Sequence, residues 1–119
     1  MDTGGMKMDD LLAGFTDDAF VLVYGASSAA APSLVLWAGY SKKHLPHLPL
    51  TCPDPDCCRG GFHLCGEALD VSLPVTRGGM SRLTATIYCP GTVGLGRTEA
   101  TPCKRYVHVE IFGHLWPPV

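Results

Sequence analysis

The chain has 119 residues, 46% of them apolar and 17% charged. That is enough for one domain with a buried core and too few for two ordinary ones. Nine Lys+Arg against eleven Asp+Glu leave a net charge of -2, which argues against a basic nucleic-acid footprint. No apolar run reaches the roughly 20 residues of a membrane span. The acids near the start do not form the basic n-region of a secretory signal, so a soluble chain of unspecified compartment is expected.

In chain order, residues 1–18 read as a leader with a helical turn or two around Met8-Asp9-Asp10-Leu11-Leu12, its acids placed at the N-terminal end. Ala19 to Tyr24 reads as a strand stopped by Gly25, and Ser33 to Trp37 as a second. Ser41 to Gly61 holds four prolines and three cysteines and predicts a long irregular loop. Ala68 to Val75 alternates, with Leu69, Val71 and Leu73 on one face and Ala68, Asp70 and Ser72 on the other. Ser81 to Tyr88 fits either a capped short helix or, through Thr-Ala-Thr-Ile-Tyr, a strand. Tyr106 to Phe112 alternates again, with Val107, Val109 and Ile111 opposite His108 and Glu110. The expected organisation is a leader over 1–18 followed by one domain over 19–119. The expected class is α+β, a small antiparallel sheet with a few short helices.

Six cysteines need an explanation: Cys52, Cys57, Cys58, Cys65, Cys89 and Cys103. Cys52, Cys57, Cys58, His63 and Cys65 lie close enough for a zinc knuckle, although no clean pair of C-x2-C arms is present. Disulfides and ordinary buried thiols are the alternatives.

A second constellation joins distant segments. If the strands bearing Asp70 and His108–Glu110 pair, their polar faces meet. A turn at Gly66 would bring His63 over Asp70. A His/Asp/His set with one vacant position suits a catalytic zinc, whose bound water becomes a hydroxide near neutral pH.

His63-Leu64-Cys65-Gly66-Glu67-Ala68-Leu69-Asp70-Val71 fits H-x-x-G-x-A-x-D plus an aliphatic residue, and Tyr106-Val107-His108-Val109-Glu110 fits a later aromatic-V-H-V-acid segment. With Gly91 to Gly96, Ala38-Gly39-Tyr40-Ser41 and Trp116 in the same order, the pattern resembles the zinc D-alanyl-D-alanine carboxypeptidase and endolysin peptidase family, over roughly Trp37 to Trp116. The resemblance implies a hedgehog/DD-peptidase-like fold and a metallopeptidase acting on cell-wall peptides. It implies Zn2+ on His63, Asp70 and His108, with Glu110 as general base or as a partner orienting His108. It places Tyr40, Lys42 and Lys43 near substrate. Ser41 stands where the family carries an arginine, Gly61 where it carries a serine, and Arg105 where many members carry the base. A monomer without nucleic-acid partners is expected. The alternative is an inactive zinc-binding or cysteine-stapled interaction module.

Overall fold

The computed structural model describes residues 6–28, 31–53, 57, 60–93, 101–103 and 105–115. The strands are β1 (Met6–Lys7), β2 (Phe20–Ser28), β3 (Ala31–Ser41), β4 (Glu67–Ala68), β5 (Val75–Arg77), β6 (Met80–Tyr88), β7 (Thr92–Val93), β8 (Thr101–Pro102) and β9 (Tyr106–Gly113). Among the described residues there is one α-helix, α1 (Met8–Ala13), and one 3-10 turn, Lys42–His44. The α+β expectation is therefore corrected to a sheet-dominated, mostly antiparallel β fold. Gly25 does not stop the first long strand as expected: β2 continues to Ser28, and β3 runs through Pro32 and Gly39 from Ala31 to Ser41, well beyond the expected Ser33 to Trp37.

Five strands form the main sheet in the order β3-β2-β9-β6-β5, every pair antiparallel. The period-2 pattern divides its side chains between two faces. Val21 and Val23 of β2, Leu83, Ala85 and Ile87 of β6, and Val107, Val109 and Ile111 of β9 are buried on one face. They join Met8, Leu11, Leu12, Phe15, Phe62, Leu64 and Ala68 in a single core cluster. Each fully buried aliphatic side chain contributes about 1.5–3 kcal/mol relative to exposure. The boundary expected at residue 18 divides the sequence but not this core, since Met8 and Phe15 are as buried as the strand valines. Ser81 to Tyr88, ambiguous in sequence, is a strand because both neighbours in the sheet supply partners, β5 and β9.

The opposite face carries Tyr24, Arg82, Thr84, Thr86, His108, Glu110 and Phe112. Glu110 is only 7% exposed there. It holds an ion pair with Arg82 of β6 and a hydrogen bond from the Tyr24 hydroxyl of β2, so three strands are cross-linked at one carboxylate. That carboxylate stabilises the protonated phenol and holds Tyr24 above the ordinary tyrosine value, with desolvation acting in the same direction.

The expected strand over residues 68–75 is interrupted. Leu69 bridges Thr86, but Asp70 then turns with φ 52, and only Ser72 regains contact with Thr84. Asp70 is exposed, Val71 remains half-buried against the core, and Leu73 is 86% exposed. The apolar alternation therefore reaches the core at Val71 but not at Leu73. A second irregularity sits at Trp37: Ala38 pairs Val23 and Leu36 pairs Tyr24, leaving Trp37 as an extra residue. Its indole lies over Gly25, where an added Cβ would come within 2.2 Å of the ring. It meets Phe62 edge-on at 5.8 Å, which ties the sheet to the loop before β4.

Candidate metal centre

Two loops converge beside the β6–β9 end of the sheet. The first is the Pro-rich segment. Leu50 and Phe62 exchange both backbone hydrogen bonds, at 3.0 and 2.8 Å, and close residues 50–62 into a loop. Phe62 is fully buried and anchors its base in the core. Cys52 and Cys57 lie on this loop. The second is the connection between β6 and β9. The N–H of Cys89 donates to the Arg105 carbonyl at 2.8 Å, and that of Cys103 to the Gly91 carbonyl at 2.9 Å. These bonds and the short β7–β8 ladder hold Cys89 and Cys103 side by side.

The four sulfurs of Cys52, Cys57, Cys89 and Cys103 all lie within 4.8 Å of one another. Cys52 Sγ stands 3.6 Å from Cys103 Sγ, and Cys57 Sγ 3.5 Å from Cys89 Sγ. A disulfide requires about 2.05 Å. A tetrahedron of thiolates at about 2.3 Å from a central ion has edges of about 3.8 Å. Two of the six edges stand close to that value and all lie within 4.8 Å, so the group is too open for existing disulfides and compact enough to surround one ion. Cys89 and Cys103 are buried, and Cys52 and Cys57 are half-buried.

The surroundings favour anionic sulfur at Cys89 and the neutral thiol at Cys57. Cys89 Sγ accepts N–H groups from Gly61 at 3.3 Å and Gly91 at 3.5 Å. Burial opposes ionisation of Cys89, but these two donors and the Cys57 thiol outweigh it, and Cys89 sits below the ordinary thiol value. Cys57 is pushed strongly up, first by burial and then by its hydrogen bonds to Cys89, Cys103 and Cys52. Four packed thiols cannot all ionise without a cation to offset their charge. Gly60 completes the enclosure. A Cβ there would lie 2.4 Å from both Cys57 Sγ and Cys89 Sγ, so only glycine lets the backbone pass this close to the sulfurs. The arrangement can hold one metal ion with four protein ligands.

The residues expected to bind a catalytic zinc are placed elsewhere. Among the described residues, the four cysteines are the one group of three or more His, Cys, Asp or Glu side chains gathered at metal-binding distance. His63 is exposed on a turn closed by the Gly66 N–H to the His63 carbonyl at 3.0 Å. Asp70 is exposed beside β6. His108 is half-buried on β9, its ring 6.4 Å from that of Tyr24. The segment bearing Asp70 does not pair with β9. Strand β6 lies between them, which separates the two backbones by about 10 Å at normal strand spacing.

The other expected site residues do not converge either. Glu110 is engaged with Arg82 and Tyr24 on the outward face. Tyr40 pairs with Val21 and packs toward the core on the opposite face. Lys42 Nζ donates to the Phe15 carbonyl at 2.8 Å and lies 3.7 Å from Asp17, which Lys43 also approaches at 3.9 Å. Both lysines thus fasten the segment after α1. Cys65 contacts the Pro46 carbonyl at 3.7 Å, outside the four-sulfur group. His44 bonds Ser41 Oγ at 2.7 Å, and His114 bonds Asp18 at 3.2 Å. Cys58, the 94–96 part of the glycine-rich segment and Trp116 lie outside the described residues.

The knuckle expectation grouped Cys52 and Cys57, which the structure also brings together, with Cys58, His63 and Cys65; His63 and Cys65 stand outside the four-sulfur group, and Cys58 lies outside the described residues. The sulfurs that sequence reasoning missed are those of Cys89 and Cys103. A signal for them existed: they flank the ends of two strand-like runs, Ser81–Tyr88 and Tyr106–Phe112. Antiparallel pairing of those runs, with Tyr88 opposite Tyr106, brings the flanking cysteines together. Among the described residues no helix is long and apolar enough to cross a membrane. Compared with protein-family models, curated proteins and solved structures, the chain shows no significant match to any.

Proposed function

We propose that this chain is a zinc-stabilised β-sheet binding module in which Cys52, Cys57, Cys89 and Cys103 hold one Zn2+ as a structural ion. The observation that carries this reading is the mutual approach of the four sulfurs within 4.8 Å. Tetrahedral all-thiolate coordination is the usual setting of a structural zinc ion. Four protein ligands leave no vertex for water or substrate, which separates a structural site from a catalytic one. The ion would join the Pro-rich loop to the β6–β9 connection. The outward sheet face supports the binding role. It exposes Phe20, Leu36, Tyr88 and Tyr106, each more than two-fifths accessible. Exposed apolar residues gathered on one face mark contact surfaces more often than isolated ones do. The peptidase reading draws no support from the placement of His63, Asp70 and His108.

Metal analysis of the purified chain tests the proposal. One zinc per chain is expected for the wild type, for His63→Ala and for Cys65→Ser, with loss of the ion in Cys57→Ser and Cys89→Ser. Cobalt substitution should give the absorption of tetrahedral tetrathiolate coordination. A zinc content unaffected by Cys57→Ser and Cys89→Ser but abolished by His63→Ala would overturn the proposal in favour of the His/Asp/His site.

A further inference from the structure

From the sulfur geometry we infer that the four-cysteine centre is a peroxide-responsive staple. Oxidation closes Cys52–Cys103 and Cys57–Cys89 as two disulfides and releases the metal. The release rests on the zinc reading above; the pairing rests on the sulfur positions alone. Cys52 Sγ and Cys103 Sγ are 3.6 Å apart, and Cys57 Sγ and Cys89 Sγ 3.5 Å. Each pair needs to close by about 1.5 Å to reach bonding distance, within the reach of side-chain rotation.

Both pairs run between the two loops. Cys52 and Cys57 belong to the loop based on Leu50 and Phe62, while Cys89 and Cys103 belong to the β6–β9 connection. The disulfides therefore join the same two segments as the ion and preserve the fold's connectivity after the metal leaves. Two pairings compete. Cys52–Cys57 with Cys89–Cys103 would close each loop on itself and leave the two unlinked. Cys52–Cys89 with Cys57–Cys103 would also join the loops, and mapping it would overturn the assignment made from the 3.5 and 3.6 Å contacts.

Access sets the order of events. Cys52 and Cys57 are half-buried and reachable by a small oxidant, whereas Cys89 and Cys103 are buried behind them. A thiolate of the first pair attacks one oxygen of hydrogen peroxide. The O–O bond breaks, leaving a sulfenic acid and hydroxide. The partner thiolate attacks the oxidised sulfur, the S–O bond breaks, and hydroxide leaves as the S–S bond forms. Two protons convert both hydroxides to water. Each disulfide thus consumes one peroxide, which accepts two electrons, and the centre consumes two. With no thiolate left, the dication has no ligands and dissociates.

The experiment uses the full chain, reduced and loaded with zinc, treated with hydrogen peroxide at neutral pH. Released zinc is read with a chromogenic chelator, and disulfides are mapped by mass spectrometry after alkylation of remaining thiols. Cleavage with trypsin and then before Asp54 and Asp56 separates Cys52 from Cys57. The expected result is one zinc released per two disulfides, mapped as Cys52–Cys103 and Cys57–Cys89. Cys52→Ser should still form Cys57–Cys89, which keeps the pairing testable where the full centre is lost. Metal-free reduced protein is treated in parallel. The same two disulfides in a chain that binds no zinc would support the pairing and refute the zinc reading. Disulfides within each loop, or sulfinic acids accumulating in their place, would overturn the staple even where one zinc is bound.

Discussion

Gly60→Ala probes the centre without touching a ligand. A Cβ at residue 60 would stand 2.4 Å from both Cys57 Sγ and Cys89 Sγ and 3.4 Å from the Gly91 Cα. Carbon and sulfur need about 3.5 Å, so each sulfur or the loop backbone must retreat by about 1 Å. In a tetrahedron with bonds of about 2.3 Å, such a retreat removes one ligand or distorts two. Changes outside the ligand set cost 10–100-fold in affinity, and one that presses on two ligands at once belongs at or beyond about 100-fold. A competitive titration against a chelator of known affinity measures the loss. Thermal unfolding with and without zinc should show the stabilisation by the ion shrink by about 2.7 kcal/mol for that 100-fold change. Gly79→Ala is the control. It lies at φ 85 with nothing within 4 Å of its Cβ, so it strains a turn while leaving zinc affinity alone. Wild-type zinc affinity in Gly60→Ala would refute the reasoning.

Removing residues 1–18 should prevent stable folding, because Met8, Leu11, Leu12 and Phe15 are lost from the core at about 1.5–3 kcal/mol each; cooperative unfolding of the truncated chain with unchanged midpoint would contradict this. Glu110→Gln should leave zinc content unchanged and lower stability by about 1–2 kcal/mol in denaturant titration, since Arg82 and Tyr24 lose a charged partner but remain near solvent. The same variant should bring Tyr24 down toward the ordinary tyrosine range, readable by ultraviolet pH titration. Zinc binding should release protons at pH 7 and weaken as pH falls, because Cys57 is held above the ordinary thiol value and must lose its proton to bind. Calorimetric titrations in two buffers of different ionisation enthalpy give the proton count, and tighter binding on acidification would be the contrary result.

The local elements were legible because each rests on short-range periodicity. The alternation of Val107, Val109 and Ile111 marked the buried face of β9, and the run from Ala19 to Tyr24 marked the start of β2, which continues through Gly25 to Ser28. The helical turn around Leu11 and Leu12 was legible too, but its membership of the core was not, since that depends on which sheet face it covers. The alternation of Leu69, Val71 and Leu73 misled for a related reason. It defines two faces for an extended chain, and Asp70 at φ 52 ends the extension after one residue.

The metal centre divides the same way. Composition singled out six cysteines in 119 residues as needing an explanation, and spacing placed Cys52 and Cys57 near one another. Which sulfurs meet was decided by strand pairing. Strand β6 entered between the Asp70 segment and β9, which separated His63, Asp70 and His108. The same pairing of β6 with β9 brought Cys89 and Cys103 to the loop carrying Cys52 and Cys57. Periodicity reports which way a side chain points along its own element. Only the order of strands in the sheet determines which distant side chains share a site.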